Sequence, residues 1–279
     1  MKKNRLFKLL SAAIVIVGLV VMFVNSCSKE SKSSAQDGSQ DKFDPQNIVL
    51  GCLLTPQEEY QAFERKDPDL TVLKSAQAST TLCTPAVGNQ GSEGSCVSWG
   101  TAYAGLAITR GCGNRYSQEF VYNSLTTCAS NCSCGLYISQ ALNLIKKTGT
   151  CLYATMPSVT GCSVKPNATQ LAEALNYKVS TWYTVSITAS NIKALLASGI
   201  PVIVGGPVNN AFEYLKNGAV LTTFTGTSLG GHCYCVVGYD DTKNAFKFMN
   251  SWGANWSSGG FGWIDYNYIN SWWQEAYHF

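Results

Sequence analysis

Cys96 stands where a loop of small residues (Gly88, Gly91, Ser92, Gly94, Ser95) gives way to a proline-free run rich in Ala, Leu, Tyr and Trp. That run predicts a buried helix with the cysteine at its start. Helix N-termini carry free N–H groups and partial positive charge. A thiol there ionises more readily, and the thiolate is the nucleophile. Taken singly, such a cysteine is more often structural. The chain has only two histidines, His232 and His278. His232 opens an alternating, β-rich run over 230–240 (GGHCYCVVGYD), which predicts a strand starting at the histidine. A second strand over 245–253 ends in Asn250-Ser251-Trp252-Gly253. A thiol, an imidazole base and a carboxamide to orient that base are the parts of nucleophilic acyl transfer. His278, beside the C-terminus, is expected at the surface.

The elements that must position these groups need a real core. In 279 residues, 46% are apolar and 13% charged, which excludes wholesale disorder. Four of the 20 basic residues lie in the first eight positions, leaving 16 basic against 17 acidic residues in the rest. The body of the chain therefore lacks a nucleic-acid footprint, and no nucleic-acid partner is expected. Twelve cysteines argue for an oxidising compartment or a metal. Residues 56–67, with Pro56 in the first turn, predict one short helix.

Three motifs in order resemble the papain family of cysteine peptidases: Gln90-Gly91-Ser92-Glu93-Gly94-Ser95-Cys96, then Gly231-His232, then Asn250-Ser251-Trp252-Gly253. The separations, 136 residues from Cys96 to His232 and 18 more to Asn250, suit that family; its cysteine and downstream partners stand roughly 130–150 residues apart. Ser117-Gln118-Glu119, Cys132-Ser133-Cys134-Gly135-Leu136, Pro201-Val202 and Phe212-Glu213-Tyr214 extend the resemblance over about residues 80–270. It implies an α+β, two-lobed fold, with a helical left lobe carrying the nucleophile and an antiparallel, β-barrel-like right lobe carrying His and Asn. It implies Cys96 as nucleophile, His232 as its ion-pair partner and proton donor, and Asn250 as orienter of the imidazole. Trp252 would cover the His–Asn bond, and Gln90 with the Cys96 N–H would form the oxyanion hole. Gly135 would pair with substrate backbone. By motif position Leu136, Tyr137, Gly205, Gly230 and Cys233 would wall the second subsite. With no charge among those residues, an apolar substrate side chain is expected there over Arg or Lys, by about tenfold or more.

The departures are local. Glu93 stands where many members have a cysteine bridged to the one matching Cys132, Val97 replaces a common Trp, and Cys134 replaces a loop glycine. The resemblance suggests a Cys128–Cys162 bridge. Eight further cysteines allow 105 pairings, so their connectivity stays open. Zinc at His232, Cys233 and Cys235, or at Cys132 and Cys134, is weighed and set aside on spacing. No metal or cofactor is expected.

Residues 1–8 are basic, 9–24 are apolar and 25–30 are polar, the layout of a secretory signal. Sixteen apolar residues fall short of the roughly 20 of a spanning helix. Ser26-Cys27 resembles a bacterial lipoprotein signal, although Asn25 departs from it. An uncleaved anchor and simple secretion are the alternatives. The expected layout is a signal over 1–26, acylation of Cys27, a flexible stalk over 27–47, a lead-in over 48–79 and a peptidase domain over 80–279. The lead-in is too short for a long helical inhibitory segment. A membrane-tethered, extracytoplasmic, monomeric endopeptidase acting on peptides or proteins is the leading expectation, lipid-anchored to a bacterial membrane. A catalytically silent binding or adhesion module, and an acyl-transferase or amidase with the same triad, are the alternatives.

Overall fold

The computed structural model describes residues 43–128, 130–158 and 161–279. The expected signal, Cys27 and most of the stalk lie outside the described residues. Among those described, no helix is long and apolar enough to cross a membrane.

The strands in chain order are β1 (Cys52–Leu53), β2 (Ser79–Thr81), β3 (Leu136–Tyr137), β4 (Tyr183–Thr184), β5 (Val202–Val208), β6 (Val220–Leu221), β7 (Gly230–Asp240), β8 (Ala245–Met249), β9 (Phe261–Asp265) and β10 (Glu275–His278). The main sheet runs β4-β10-β5-β7-β8-β9-β6, with β2 paired to β7. All its pairings are antiparallel except β6 with β9. It stays open rather than closing into a barrel. β7 is the long central strand, and alternation gives its two faces different partners. Tyr234 and Val236 join the core of the β lobe. Cys233 joins the core of the helical lobe, and Cys235 and Val237 a smaller cluster beneath the central helix.

That helix spans 96–109: one α turn over Cys96–Ser98, π-wound turns over Trp99–Leu106, and a last turn over Ala107–Thr109. Residues 96–108 are all buried, as a run apolar on every side requires. Gly100 and Gly105 let the sheet approach. A Cβ on either would meet Cys233 Sγ at 2.6 Å or Ile203 Cδ1 at 2.8 Å. The helices Gln118–Leu125 and Ile138–Lys147 complete this lobe around Phe120, Leu142 and Ile145. Ser117 caps the first of them by accepting the Phe120 N–H at 2.9 Å.

The predicted helix over 56–67 is shorter, Gln57–Ala62 with Pro56 as its N-cap. It ends because the chain turns to pair with β4: Thr184 N–H donates to Glu64 O and Lys66 N–H to Thr184 O, both at 3.0 Å. Residues 43–47, expected as the end of the stalk, pack instead on the domain. Phe43 stacks on Trp252 with ring centroids 5.8 Å apart.

The cysteines pair as Cys83–Cys112, Cys128–Cys134 and Cys132–Cys162, in place of the expected Cys128–Cys162 bridge. The left-handed backbone at Cys132, φ 55°, belongs to the turn that places its sulfur on Cys162. Glu93 makes no bridge, and the adjoining backbone is tied by Gly94 N–H to Cys132 O at 2.8 Å.

Candidate active site

Cys96 opens the central helix from the helical lobe, while His232 on β7 and Asn250 just past β8 come from the β lobe. His232 Nε2 and Asn250 Oδ1 are 2.8 Å apart. The same Oδ1 accepts the Ser251 N–H at 2.8 Å, which fixes that atom as the carbonyl oxygen. His232 Nε2 must then be the donor, and the basic lone pair is left on Nδ1. That buried Nδ1 has no hydrogen-bond partner. The ring sits among aromatics, with Trp252 at 4.8 Å, Phe212 at 5.7 Å and Tyr234 at 5.8 Å between centroids. Trp252 thus lies beside the imidazole, the residue whose motif position would have it cover the His–Asn bond.

Gln90 is held at both ends of its amide. Its Oε1 accepts from Ser251 Oγ at 2.7 Å, so Nε2 turns the other way, donating to Glu93 O at 2.8 Å and Val49 O at 2.9 Å. The second acceptor belongs to a segment that fills the cleft. Residues 48–55 run between the lobes, where β1 pairs parallel with β3 in the register Cys52↔Leu136 and Leu53↔Tyr137. Leu136 N–H donates to Gly51 O at 2.9 Å. Gly135 lies flat against this arm, since a Cβ there would stand 2.8 Å from Gly51 O. Gly51 is itself obligatory, because its Cβ would fall 1.9 Å from Gly94 O. Leu50 packs over Gly230, where a Cβ would meet it at 3.1 Å.

Under this cover both reacting groups are buried and neutral. Burial pushes the Cys96 thiol up to about 11, against backbone N–H groups led by those of Cys233 and Gly51. Burial likewise lowers His232 to about 4, opposed by its bond to Asn250.

Glu275 was missed at the sequence level. β10 pairs with β5 so that Glu275 faces Gly205, and a Cβ on Gly205 would meet its Oε1 at 2.8 Å. Oε2 accepts from Tyr277 Oη at 2.6 Å, and buried Oε1 has no partner. Burial holds this carboxyl above its ordinary range. The subsite expected to be free of charge therefore has a carboxyl beside it. The charged residue belongs to the strand that follows the Trp272-Trp273 pair, and only a long-range register brings it to Gly205. His278, expected at the surface, is 4% exposed, and its Nε2 lies 3.0 Å from Lys66 O.

Residues 74–275 match the profile of the papain family cysteine protease, and the chain belongs to that family. It is 29% identical over 201 residues to a cathepsin B-like CP2 of Giardia intestinalis, covering 64% of this chain and 63% of that protein. It is 27% identical over 190 residues to gamete and mating-type specific protein A of Dictyostelium discoideum, covering 65% and 40%. The chain thus spans less than two thirds of these curated relatives. Among solved structures, xylellain, a cysteine protease from Xylella fastidiosa, superposes with a TM-score of 0.68 at 22% identity, over 85% of this chain and 96% of that one. That likeness establishes the papain-like α+β fold.

Proposed function

We propose that the chain is a membrane-tethered cysteine endopeptidase, and that the form described is latent, its cleft closed by residues 48–55. The observation that carries this reading is the His232–Asn250 bond of 2.8 Å, which leaves a buried, unpartnered Nδ1 as the base. A buried polar atom without a partner is costly and calls for a reason, and a base held beside a nucleophile on the facing lobe supplies one.

Displacement of the arm admits water and removes the burial that separates the two pKa values. His232 Nδ1 then takes the Cys96 proton, and the thiolate attacks a substrate carbonyl carbon. The oxyanion forms where Val49 O now sits, receiving Gln90 Nε2–H and the Cys96 N–H. Such a donor is worth on the order of 10²–10³ in rate. The imidazolium protonates the leaving amine, and the same nitrogen then activates the water that hydrolyses the thioester. Once Cys52 and Thr55 leave, the Glu275 carboxyl is available to a cationic side chain in the second subsite. The membrane tether is supported by the apolar run ending at Ser26-Cys27.

Hydrolysis of fluorogenic peptides tests the reading. The full chain with its arm loosened should turn over peptide, while Cys96→Ala and His232→Ala should not. Turnover retained in Cys96→Ala contradicts it, as does a well-folded, open wild type that binds peptide without cleaving it.

A further inference from the structure

Three free thiols belong to the buried cluster beneath the arm. Among the described residues Cys52, Cys96, Cys151, Cys233 and Cys235 are outside the disulfides. Cys52, Cys96 and Cys233 share one buried cluster, contributed by the arm, the central helix and β7 respectively. On β1, Cys52 turns inward and Leu53 outward. The arm crosses β7 two residues from Cys233, for a Cβ on Gly231 would stand 2.2 Å from the Cys52 carbonyl oxygen. Cys233 projects toward the central helix at Gly100, whose missing Cβ leaves room for the sulfur. Burial raises the Cys52 thiol most, and the charge of Cys233 raises it next, ahead of Cys96 and Glu275.

A thiol on the segment that must leave, next to a second thiol on the strand that stays, is the makings of a reversible lock. We propose that Cys52 and Cys233 form a disulfide that fastens the arm in the cleft, so that opening the enzyme requires a thiol reductant. The inference rests on the latent-peptidase reading above.

The chemistry is ordinary thiol–disulfide exchange with a low-molecular-weight disulfide, RSSR. With the arm lifted, the Cys52 thiolate attacks one RSSR sulfur, forming a mixed disulfide and releasing RS⁻. As the arm docks, the Cys233 thiolate attacks the Cys52 sulfur and expels the second RS⁻. The two protons given up by the cysteines end on the two RSH, and two electrons have passed from the protein to RSSR. A dithiol reverses both steps. The buried, protonated thiols of the docked arm are poor nucleophiles, so oxidation begins in the lifted state, and the dithiol reaches the closed bond through local opening of the linked arm.

The test uses the full chain. It is incubated with oxidised glutathione, free thiols are blocked, and the protein is digested and mapped without reduction. An epoxide probe in a parallel sample reports how fast Cys96 is labelled. The expected map links Cys52 to Cys233. Wild-type labelling should rise about tenfold or more after dithiothreitol, as the arm gains access to its open state. Cys52→Ser should label at one rate in both conditions, and Cys233→Ser should leave Cys52 unlinked. Cys52 recovered free, or linked to Cys96, Cys151 or Cys235, overturns the proposal. A Cys52–Cys233 link with Cys96 unlabelled in every sample, Cys52→Ser included, sinks the peptidase reading instead, so the two failures are distinct.

Discussion

His232 is neutral in the closed form because burial lowers it from 6.5 to about 4. Between those values the unfolded chain binds a proton that the native state refuses. Its contribution to stability is therefore complete above pH 6.5 and lost as the pH falls toward about 4, by about 3 kcal/mol. Cys96 acts at the other end: raised from 9.0 to about 11, it costs the closed form stability as pH climbs through that window. Opening the cleft relaxes both shifts, so acid also favours the open form. Thermal melts between pH 4 and 7 check this: His232→Gln should lose much of the acid-side slope, and parallel slopes in variant and wild type would contradict it. Glu275 carries a second expectation at this scale. With the arm lifted, its carboxyl beside Gly205 is expected to offset the margin against Arg at the second subsite. Glu275→Gln should lower kcat/KM for an Arg peptide relative to a Leu peptide by about tenfold. An unchanged ratio would place Glu275 outside substrate's reach. Gln90, Cys96, His232 and Asn250 were legible because each sits in a short motif whose chemistry is local. Glu275 was not, because its role depends on a pairing with Gly205 across some 70 residues of chain, a register that no local pattern encodes.

At the scale of elements, the central helix and β7 were legible for physical reasons. One is a small-residue loop feeding an apolar run; the other alternates with period two. The arm was not. Its run Ile48-Val49-Leu50-Gly51-Cys52 is too short to carry a period, and its partners, β3 and Gln90, lie 40 or more residues away. Within the expected lead-in, residues 48–55 lie in the cleft as an extended arm paired with β3. A single residue should release it. Gly51→Val drives a side chain into Gly94 O, 1.9 Å from the new Cβ. Overpacking of that kind costs about 1–3 kcal/mol. Because the strain falls on the docked arm alone, peptide hydrolysis should rise about tenfold with the folded core intact. Activity that stays level while the melt is unchanged would show that the arm does not limit access.

Over the whole molecule, the two cores set the architecture. One is helical around Phe120, Leu142 and Ile145, and the other is aromatic around Phe212, Phe248, Trp256 and Trp272. Phe212 alone stacks on or meets Tyr234, Phe248, Trp252 and Trp256, which ties the imidazole's cage to the sheet. The α+β class and the two lobes were legible from the motif order, and the open sheet was not, since closure depends on which edges find partners. For the tether, intact-mass spectrometry of membrane-extracted protein should show loss of residues 1–26 and a lipid adduct on Cys27; an unmodified chain from Met1 would contradict it. The central claim is that Cys96 is a nucleophile kept ready beneath a removable arm. It is tested most directly by incubating reduced wild-type and Gly51→Val chains with an epoxide peptidyl probe and locating the adduct by tandem mass spectrometry. The account predicts one adduct, on Cys96 Sγ, formed faster in Gly51→Val and lost in His232→Ala. An adduct on another thiol, or none on Cys96 in the opened variant, would contradict it.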